Sequence, residues 1–187
     1  LGCETSDIYR WLLRVPGRMA REDFSAVLSA EHRDLIDSNF ATHAEPACYN
    51  PRGVLLFGAA EIVRARMCVS LLESGRISQF GELMRISHDG DRVASRQSDD
   101  TYRPAELPSD DQYLERLIRG LRSEDPDLVL RAQLYMQPGC YACSTPEIDQ
   151  MVDIASAVPG VAGAQIAGAG LGGCIMVLVK KERVEAV

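Results

Sequence analysis

The sequence lacks the features that place a protein in a membrane or on nucleic acid. No apolar run reaches the roughly 20 residues that a membrane-spanning helix needs. Asp7, Arg10 and Arg14 interrupt the first apolar positions, which is not the pattern of a secretory signal peptide. The net charge is −7, whereas phosphate backbones select surfaces rich in Lys and Arg. We therefore expect a cytoplasmic protein with no membrane and no nucleic-acid partner.

The sequence is also poor in paired metal ligands. The three histidines, at positions 32, 43 and 88, have no pairing at helical spacing. Among the six scattered cysteines, Cys140 and Cys143 in CYAC have the spacing of half a zinc site. Because tetrahedral zinc needs four ligands, we interpret the cysteines as reduced thiols and expect no bound metal.

What the sequence does contain is a run of periodic apolar segments in the N-terminal half. Residues 4–38 read as helical, with a break at Pro16–Gly17. The strongest pattern predicts a helix over 53–74, and the turn Ser74-Gly75-Arg76 separates it from a second helix. Steps of three and four place one apolar stripe on the first of these helices: Leu55, Gly58, Ile62, Ala65, Val69 and Leu72.

The C-terminal half combines further helices with two strands. Residues 89–111 are polar and acidic and predict a surface loop or a partly disordered insertion. A modest helix is expected at 111–121, and 125–139 is compatible with a short helix or a strand. Ser144 and Glu147 have the spacing of a capping box for a helix over 144–160. Two strands follow, at 162–166 and 174–179.

Four glycines lie between those two strands. Gly168, Gly170 and Gly173 spell G-x-G-x-x-G, but the dinucleotide fingerprint must open a helix, and here the apolar run CIMVLV follows. A Walker A loop is excluded because no Lys-Ser/Thr pair ends the loop. Two interpretations stay open from these residues alone. The loop is either an anion-binding concavity of backbone N–H groups or a tight hairpin turn in a crowded core.

Two blocks of the sequence resemble the galactokinases, which belong to the GHMP small-molecule kinases. The segment STPEIDQMVDIASAVPGVAGAQIAGAGLGGCIMVLV (144–179) resembles the third motif of that family. Upstream, FGAAEIVRA (57–65) resembles its E-x-x-R helix. The stretch SGRISQFGELMRISH (74–88) resembles its glycine turn followed by F-G-x-L-M-x-x-S-H. The order and the contents of both blocks match the family.

The resemblance implies an α+β domain of the GHMP-kinase C-terminal type, rich in helix, with helices packed on one face of a small antiparallel sheet. Residues 1–52 would then be a helical lead-in to an N-terminal half that lies outside this chain. Residues 53–187 would form the C-terminal domain, with an insertion at about 91–143. Leu1 stands where an initiator Met would, so we expect a part of a longer protein.

The resemblance also implies a site. The loop residues would line the floor of a cleft near the phosphates of ATP and the acceptor sugar: Gly168, Ala169, Gly170, Gly172 and Gly173. The catalytic base, the ATP loop and most contacts to ATP and Mg²⁺ would belong to the N-terminal half. We therefore expect a sugar kinase whose C-terminal part, alone, contains no catalytic residue and is inactive.

Alternatives remain for the function and for three local features. The protein could be a non-catalytic sensor of sugar and ATP, or a free-standing ferredoxin-like module that binds a small ligand at the glycine hairpin. The stretch AEHRDL (30–35) matches part of the family's substrate signature, but we interpret it as a solvated helix face. We assign His88 to stabilisation of a helix C-terminus, and Glu61 and Arg64 to a pair along one helix.

Overall fold

The computed structural model describes residues 2–168 and 173–186. Three short 3₁₀ turns accompany its helices and strands, at Ala30–His32, Leu134–Met136 and Lys181–Ala186. In chain order, the described elements are α1 (Thr5–Leu12), α2 (Arg21–Val27), α3 (Arg33–Phe40), α4 (Pro51–Glu73), α5 (Ile77–Asp91), β1 (Ala94–Arg96), β2 (Tyr102–Pro104), α6 (Asp111–Gly120), α7 (Pro126–Arg131), α8 (Pro146–Ser156), β3 (Val161–Ile166) and β4 (Ile175–Val179).

The strands form two small antiparallel sheets, β1–β2 and β3–β4. The helix-rich α+β class is therefore confirmed. The helices, however, lie on both faces of β3–β4, not on one. Gly163 faces α5, where it lies against Gly81, whereas its neighbour Ala164 packs against Val152 and Ala155 of α8. Successive residues of a strand point to opposite faces, so α5 and α8 enclose β3 between them.

Local interactions at both ends explain the limits of α4. The Asn50 side chain accepts a hydrogen bond from the backbone N–H of Gly53 at 2.8 Å, and Pro51 occupies the first helical position. At the other end Gly75 has a φ of +69°. The N–H of Arg76 donates to the Leu71 carbonyl at 2.8 Å, and that of Gly75 to Leu72 at 3.1 Å. These two bonds form a Schellman motif, which ends the helix.

The apolar stripe of α4 is not the face that the helix buries. The side chains of Leu55, Ile62, Val69 and Leu72 are between 42% and 57% exposed. The buried side chains lie on another face of the helix, which includes Leu56, Ala60 and Arg64. Apolar residues occur around most of the circumference of α4, so periodicity alone does not identify the face that packs. The neighbouring elements decide it.

Those neighbours come from the lead-in and from the segment predicted as an insertion. One hydrophobic cluster joins α1, α4, α6 and the start of the second 3₁₀ turn with the residues just before it: Tyr9, Leu12, Leu56, Ala60, Leu114, Leu117, Ala132 and Leu134. The Tyr9 hydroxyl donates to the Ala132 carbonyl at 2.8 Å. A second, smaller cluster lies between α8 and the β3–β4 sheet. Residues 91–143 therefore contribute to a hydrophobic core.

Two local predictions need correction as well. Part of 89–111 is a hairpin and not an irregular loop, because β1 and β2 pair from Ala94↔Pro104 to Arg96↔Tyr102. The residue that caps α8 is Thr145, one position after the predicted Ser144. Its hydroxyl accepts from the Ile148 N–H, while the N–H of Ser144 donates to the Asp91 carbonyl. The ambiguous stretch 125–139 is helical, as α7 and a 3₁₀ turn.

Candidate functional site

The β3–β4 hairpin presents the glycine loop. Ile166 pairs with Ile175, and beyond that pair the Ala167 N–H donates to the Cys174 carbonyl at 3.0 Å. Gly168 and Gly173 then begin and end the loop with φ values of +64° and +65°. L-residues with a Cβ rarely adopt this left-handed conformation, so glycine is required at both positions.

The described surroundings of these two glycines contain no close neighbour. Both residues are exposed, and no atom of the described residues lies within 4 Å of a Cβ built on either. Crowding by the described residues therefore does not account for the glycines at these two positions. Ala169, Gly170 and Gly172, which complete the predicted site, lie outside the described residues.

A buried polar pair lies directly beneath the hairpin. His88 in the last turn of α5 and Asp149 in α8 are both 0% exposed, with 3.3 Å between His88 Nε2 and Asp149 Oδ1. That contact is not aligned as a hydrogen bond, and neither atom has another hydrogen-bond partner among the described residues. The other ring nitrogen, Nδ1, accepts from the Ile166 N–H at 3.3 Å. Because Nδ1 accepts, the proton of the neutral ring is assigned to Nε2, facing Asp149.

Asp149 is held as a carboxylate. Burial raises the pKa of this side chain, but the His88 ring, the Ser144 side chain and two backbone N–H groups favour the charged form and outweigh burial, so the pKa is lowered. Oδ2 accepts from the N–H groups of Val93 and Ala94, at 3.0 and 2.8 Å. The pair thus connects α5, α8, β3 and the start of β1. This role differs from the predicted one, in which His88 only stabilised the end of its own helix.

Arg64 has a comparable structural role in α4. Its guanidinium is 2% exposed and contacts Glu61 Oε1 at 2.7 Å, as the spacing predicted. It also donates to the carbonyls of Tyr135 at 2.5 Å and Gln137 at 3.1 Å. Arg64 therefore joins α4 to the chain that precedes α8. All of these contacts are within the scaffold.

A cavity of about 320 Å³ lies beside the hairpin, between α4, α5 and β4. Its walls include Gln165 and Met176, which pair across the two strands next to the loop. Ser87, Gln165 and the Glu61–Arg64 pair supply polar side chains to the wall, and most of the other lining residues are apolar. The cavity thus lies beside the two strands that lead to Gly168 and away from Gly173.

The other candidate residues are exposed to solvent or held in scaffold contacts. The helical turn that contains Glu31, His32 and Asp34 is exposed, as expected for a solvated face. Cys143 Sγ donates to Asp91 Oδ1 at 3.2 Å, and burial together with this carboxylate raises the pKa of the thiol to about 12. Within residues 2–168 and 173–186, no group of three or more His, Cys, Asp and Glu side chains could hold a metal ion.

Comparison with known proteins now bears on this hairpin. Residues 117–187 match the family described as GHMP kinases C terminal. Over these residues the chain is similar to the C-terminal domain of the GHMP kinases. The matched segment includes α8, the β3–β4 hairpin and the glycine loop.

Curated relatives give the same result over short stretches. The chain is 50% identical to the human galactokinase over 40 residues, which cover 21% of the chain and 10% of that protein. It is 46% identical to the galactokinase of Actinobacillus succinogenes over 48 residues, 25% of the chain and 12% of the relative. The matches thus span about a tenth of the length of these relatives. No solved structure matches the chain.

Two residues near this hairpin, Asp149 and Ile166, were not among the predicted site residues. In the sequence, Asp149 is one position of the segment that resembles the family motif, and Ile166 is one position of a predicted strand. Neither position by itself indicates a role. The available signal is weak: Asp149 follows Ile148 on a helix whose buried side includes both. A carboxylate on that buried side requires partners.

The described part of the chain has no helix long and apolar enough to cross a membrane.

Proposed function

We propose that this chain is the C-terminal part of an ATP-dependent sugar kinase, which transfers the γ-phosphoryl group of Mg-ATP to a sugar hydroxyl. The proposal is carried by the left-handed backbone at Gly168 and Gly173, where no described atom would meet a Cβ. Both glycines lie in the segment that matches the family described as GHMP kinases C terminal. We also propose that the acceptor is a sugar, that an N-terminal kinase half completes the site, and that the protein is cytoplasmic.

The contribution of this chain is electrostatic and positional. A left-handed glycine turns its N–H group away from the sheet ladder, and successive N–H groups in such a loop form a concavity for anions. Donors fixed in this way stabilise phosphoryl oxygens as charge moves between them during transfer. The open space at Gly168 and Gly173 fits the approach of such oxygens. Bound Mg²⁺ would neutralise the phosphate charge, and its ligands are proposed to lie in the N-terminal half.

The test is ADP release by the intact polypeptide that contains this chain, with Mg-ATP and a panel of free and phosphorylated sugars. Release that depends on one sugar supports the kinase and identifies its acceptor. This chain by itself is expected to release no ADP, because the proposed base and ATP loop lie outside it. A folded intact protein that binds ATP without releasing ADP would instead favour the sensor.

A substitution in the loop tests the role of the glycines. Gly170→Val is expected to reduce ADP release at least tenfold, because a branched side chain would obstruct the proposed cleft, while the melting temperature stays near that of the wild type. Gly58→Ala in α4 is the matched control, since no atom of the described chain lies within 4 Å of a Cβ at this position. Full activity of Gly170→Val would contradict the proposed site.

A further inference from the structure

We propose that His88 is a positioning residue for the glycine loop: its Nδ1 holds the N–H of Ile166, and Asp149 fixes the imidazole in the tautomer that can do so. This inference rests on the proposed function for its effect on phosphoryl transfer. The anchoring contact itself is independent of that function and can be measured separately.

The hydrogen bond between His88 and Ile166 lies where β3 ends and the loop begins. Ile166 is the last residue of β3, and only Ala167 separates it from the left-handed Gly168. Its side chain is buried, and its carbonyl and N–H lie where the regular ladder to β4 ends at Ile175. A bond from the Ile166 N–H to a side chain of α5 therefore fixes the strand at the point where the loop begins.

The second step is the tautomer. The His88 ring can accept at Nδ1 only when the proton is on Nε2, and Asp149 Oδ1 lies 3.3 Å from Nε2. The other carboxylate oxygen is held by the N–H groups of Val93 and Ala94. The carboxylate is thus fixed independently of His88 and favours a proton on the nitrogen that faces it. The same logic, a carboxylate orienting a histidine ring that acts on a third group, recurs in metal sites and hydrolase triads.

The third step is that the ring cannot relax. His88 and Asp149 are both 0% exposed, so water does not replace a lost partner. Gly81, about two turns earlier in α5, lies against the backbone of β3, which sets the height of α5 over the strand. Loss of the ring nitrogen that faces Ile166 is therefore expected to loosen the end of β3, because water does not take the place of the lost acceptor.

Two substitutions separate the two ring nitrogens. The amide oxygen of His88→Asn occupies a position similar to Nδ1 and can accept from Ile166, whereas the longer His88→Gln places its amide near Nε2 and leaves the Ile166 N–H without an acceptor. Both variants would be made in the intact polypeptide. Val152→Ala is the matched control, because it weakens the α8–β3 cluster and Val152 makes neither of the two ring-nitrogen contacts.

The first readout is hydrogen exchange of peptides that cover 160–168, measured by mass spectrometry. We expect exchange at the strand end to rise about five- to tenfold in His88→Gln, as for one lost hydrogen bond, and less than about twofold in His88→Asn. Val152→Ala should lower the melting temperature without a selective rise at this end. Equal exchange in the two His88 variants, or no rise in either, overturns the proposed role of the hydrogen bond between His88 and Ile166.

The second readout is steady-state ADP release. Misplaced donors act on the transition state more than on bound substrate, so His88→Gln should lower kcat about tenfold or more with KM for ATP changed less than about threefold. His88→Asn should retain kcat within about threefold. Increased exchange with unchanged kcat overturns the positioning role. No ADP release by the wild type overturns the proposed function, and the exchange measurement then decides the anchor alone.

Discussion

Gly81 in α5 and Gly163 in β3 touch backbone to backbone. A Cβ on Gly163 would lie 2.6 Å from the Cα of Gly81 and still closer to its carbonyl oxygen. No side chain with a Cβ fits at either position without separating the helix from the strand. This contact, together with the hydrogen bond between Ile166 and His88, sets the position of the hairpin relative to α5.

The first prediction follows from that contact. Gly163→Ala should lower the free energy of unfolding by about 1–3 kcal/mol, the usual cost of overpacking, because the added methyl group meets backbone atoms that cannot rotate away. Urea denaturation measures it. Gly58→Ala in α4 is the control and should raise stability by about 0.5–1 kcal/mol, since the position is open and helical. Wild-type stability of Gly163→Ala would contradict the contact.

A second prediction concerns the buried guanidinium of α4. Arg64→Met keeps much of the side-chain volume but leaves the carbonyls of Tyr135 and Gln137 without their donor. We expect a loss of about 2–4 kcal/mol in the free energy of unfolding. Glu61→Gln, which changes the one-third exposed partner, should cost less than about 1 kcal/mol. Equal effects of the two substitutions would show that the ion pair, and not the carbonyl contacts, is what stabilises this region.

The Asp149 carboxylate predicts a dependence of stability on pH. Its pKa is lowered in the folded protein, so its contribution is complete above the unfolded pKa of about 3.9 and is lost as pH falls through the folded pKa. The difference in unfolding free energy between wild type and Asp149→Asn should be constant above about pH 5 and shrink below about pH 4.

The measurement is urea unfolding at a series of pH values. Asp127→Asn on the exposed side of α7 controls for the loss of one surface charge, and its difference from wild type should stay within about 0.5 kcal/mol at every pH. A constant difference for Asp149→Asn down to about pH 2 would mean that the carboxylate is not stabilised by folding.

The fourth prediction is a chemical one. With a pKa of about 12, Cys143 has roughly a thousandfold less thiolate at pH 8 than an ordinary cysteine, and alkylation by iodoacetamide should slow in proportion. Exposed Cys3 in the same protein is the internal reference. Asp91→Asn removes the carboxylate that faces the thiol and should accelerate the reaction. Peptide mass spectrometry measures the rate, and fast alkylation of Cys143 in the wild type would contradict the raised pKa of this half-buried thiol.

Much of the local structure follows from the sequence. The turn at Gly75, Pro146 at the start of α8 and the two strands around the glycine loop are predictable because their signals are local: a glycine that adopts positive φ, a proline without an N–H, and alternation along a strand. The predicted capping residue is wrong by one position, because Ser144 and Thr145 both qualify by type, and the contact of Ser144 with Asp91 lies outside any local window.

Only the tertiary structure decided which surfaces meet. Apolar residues surround α4, so its buried face depends on the cluster formed with α1 and α6 and on the buried contacts of Arg64. The pairing of His88 with Asp149 joins residues that are 61 positions apart, and both are ordinary polar residues in their own helices. Periodicity reports what one segment can bury. The neighbouring segments of the folded chain decide which face of a helix is buried. They also decide which buried charged group finds a partner.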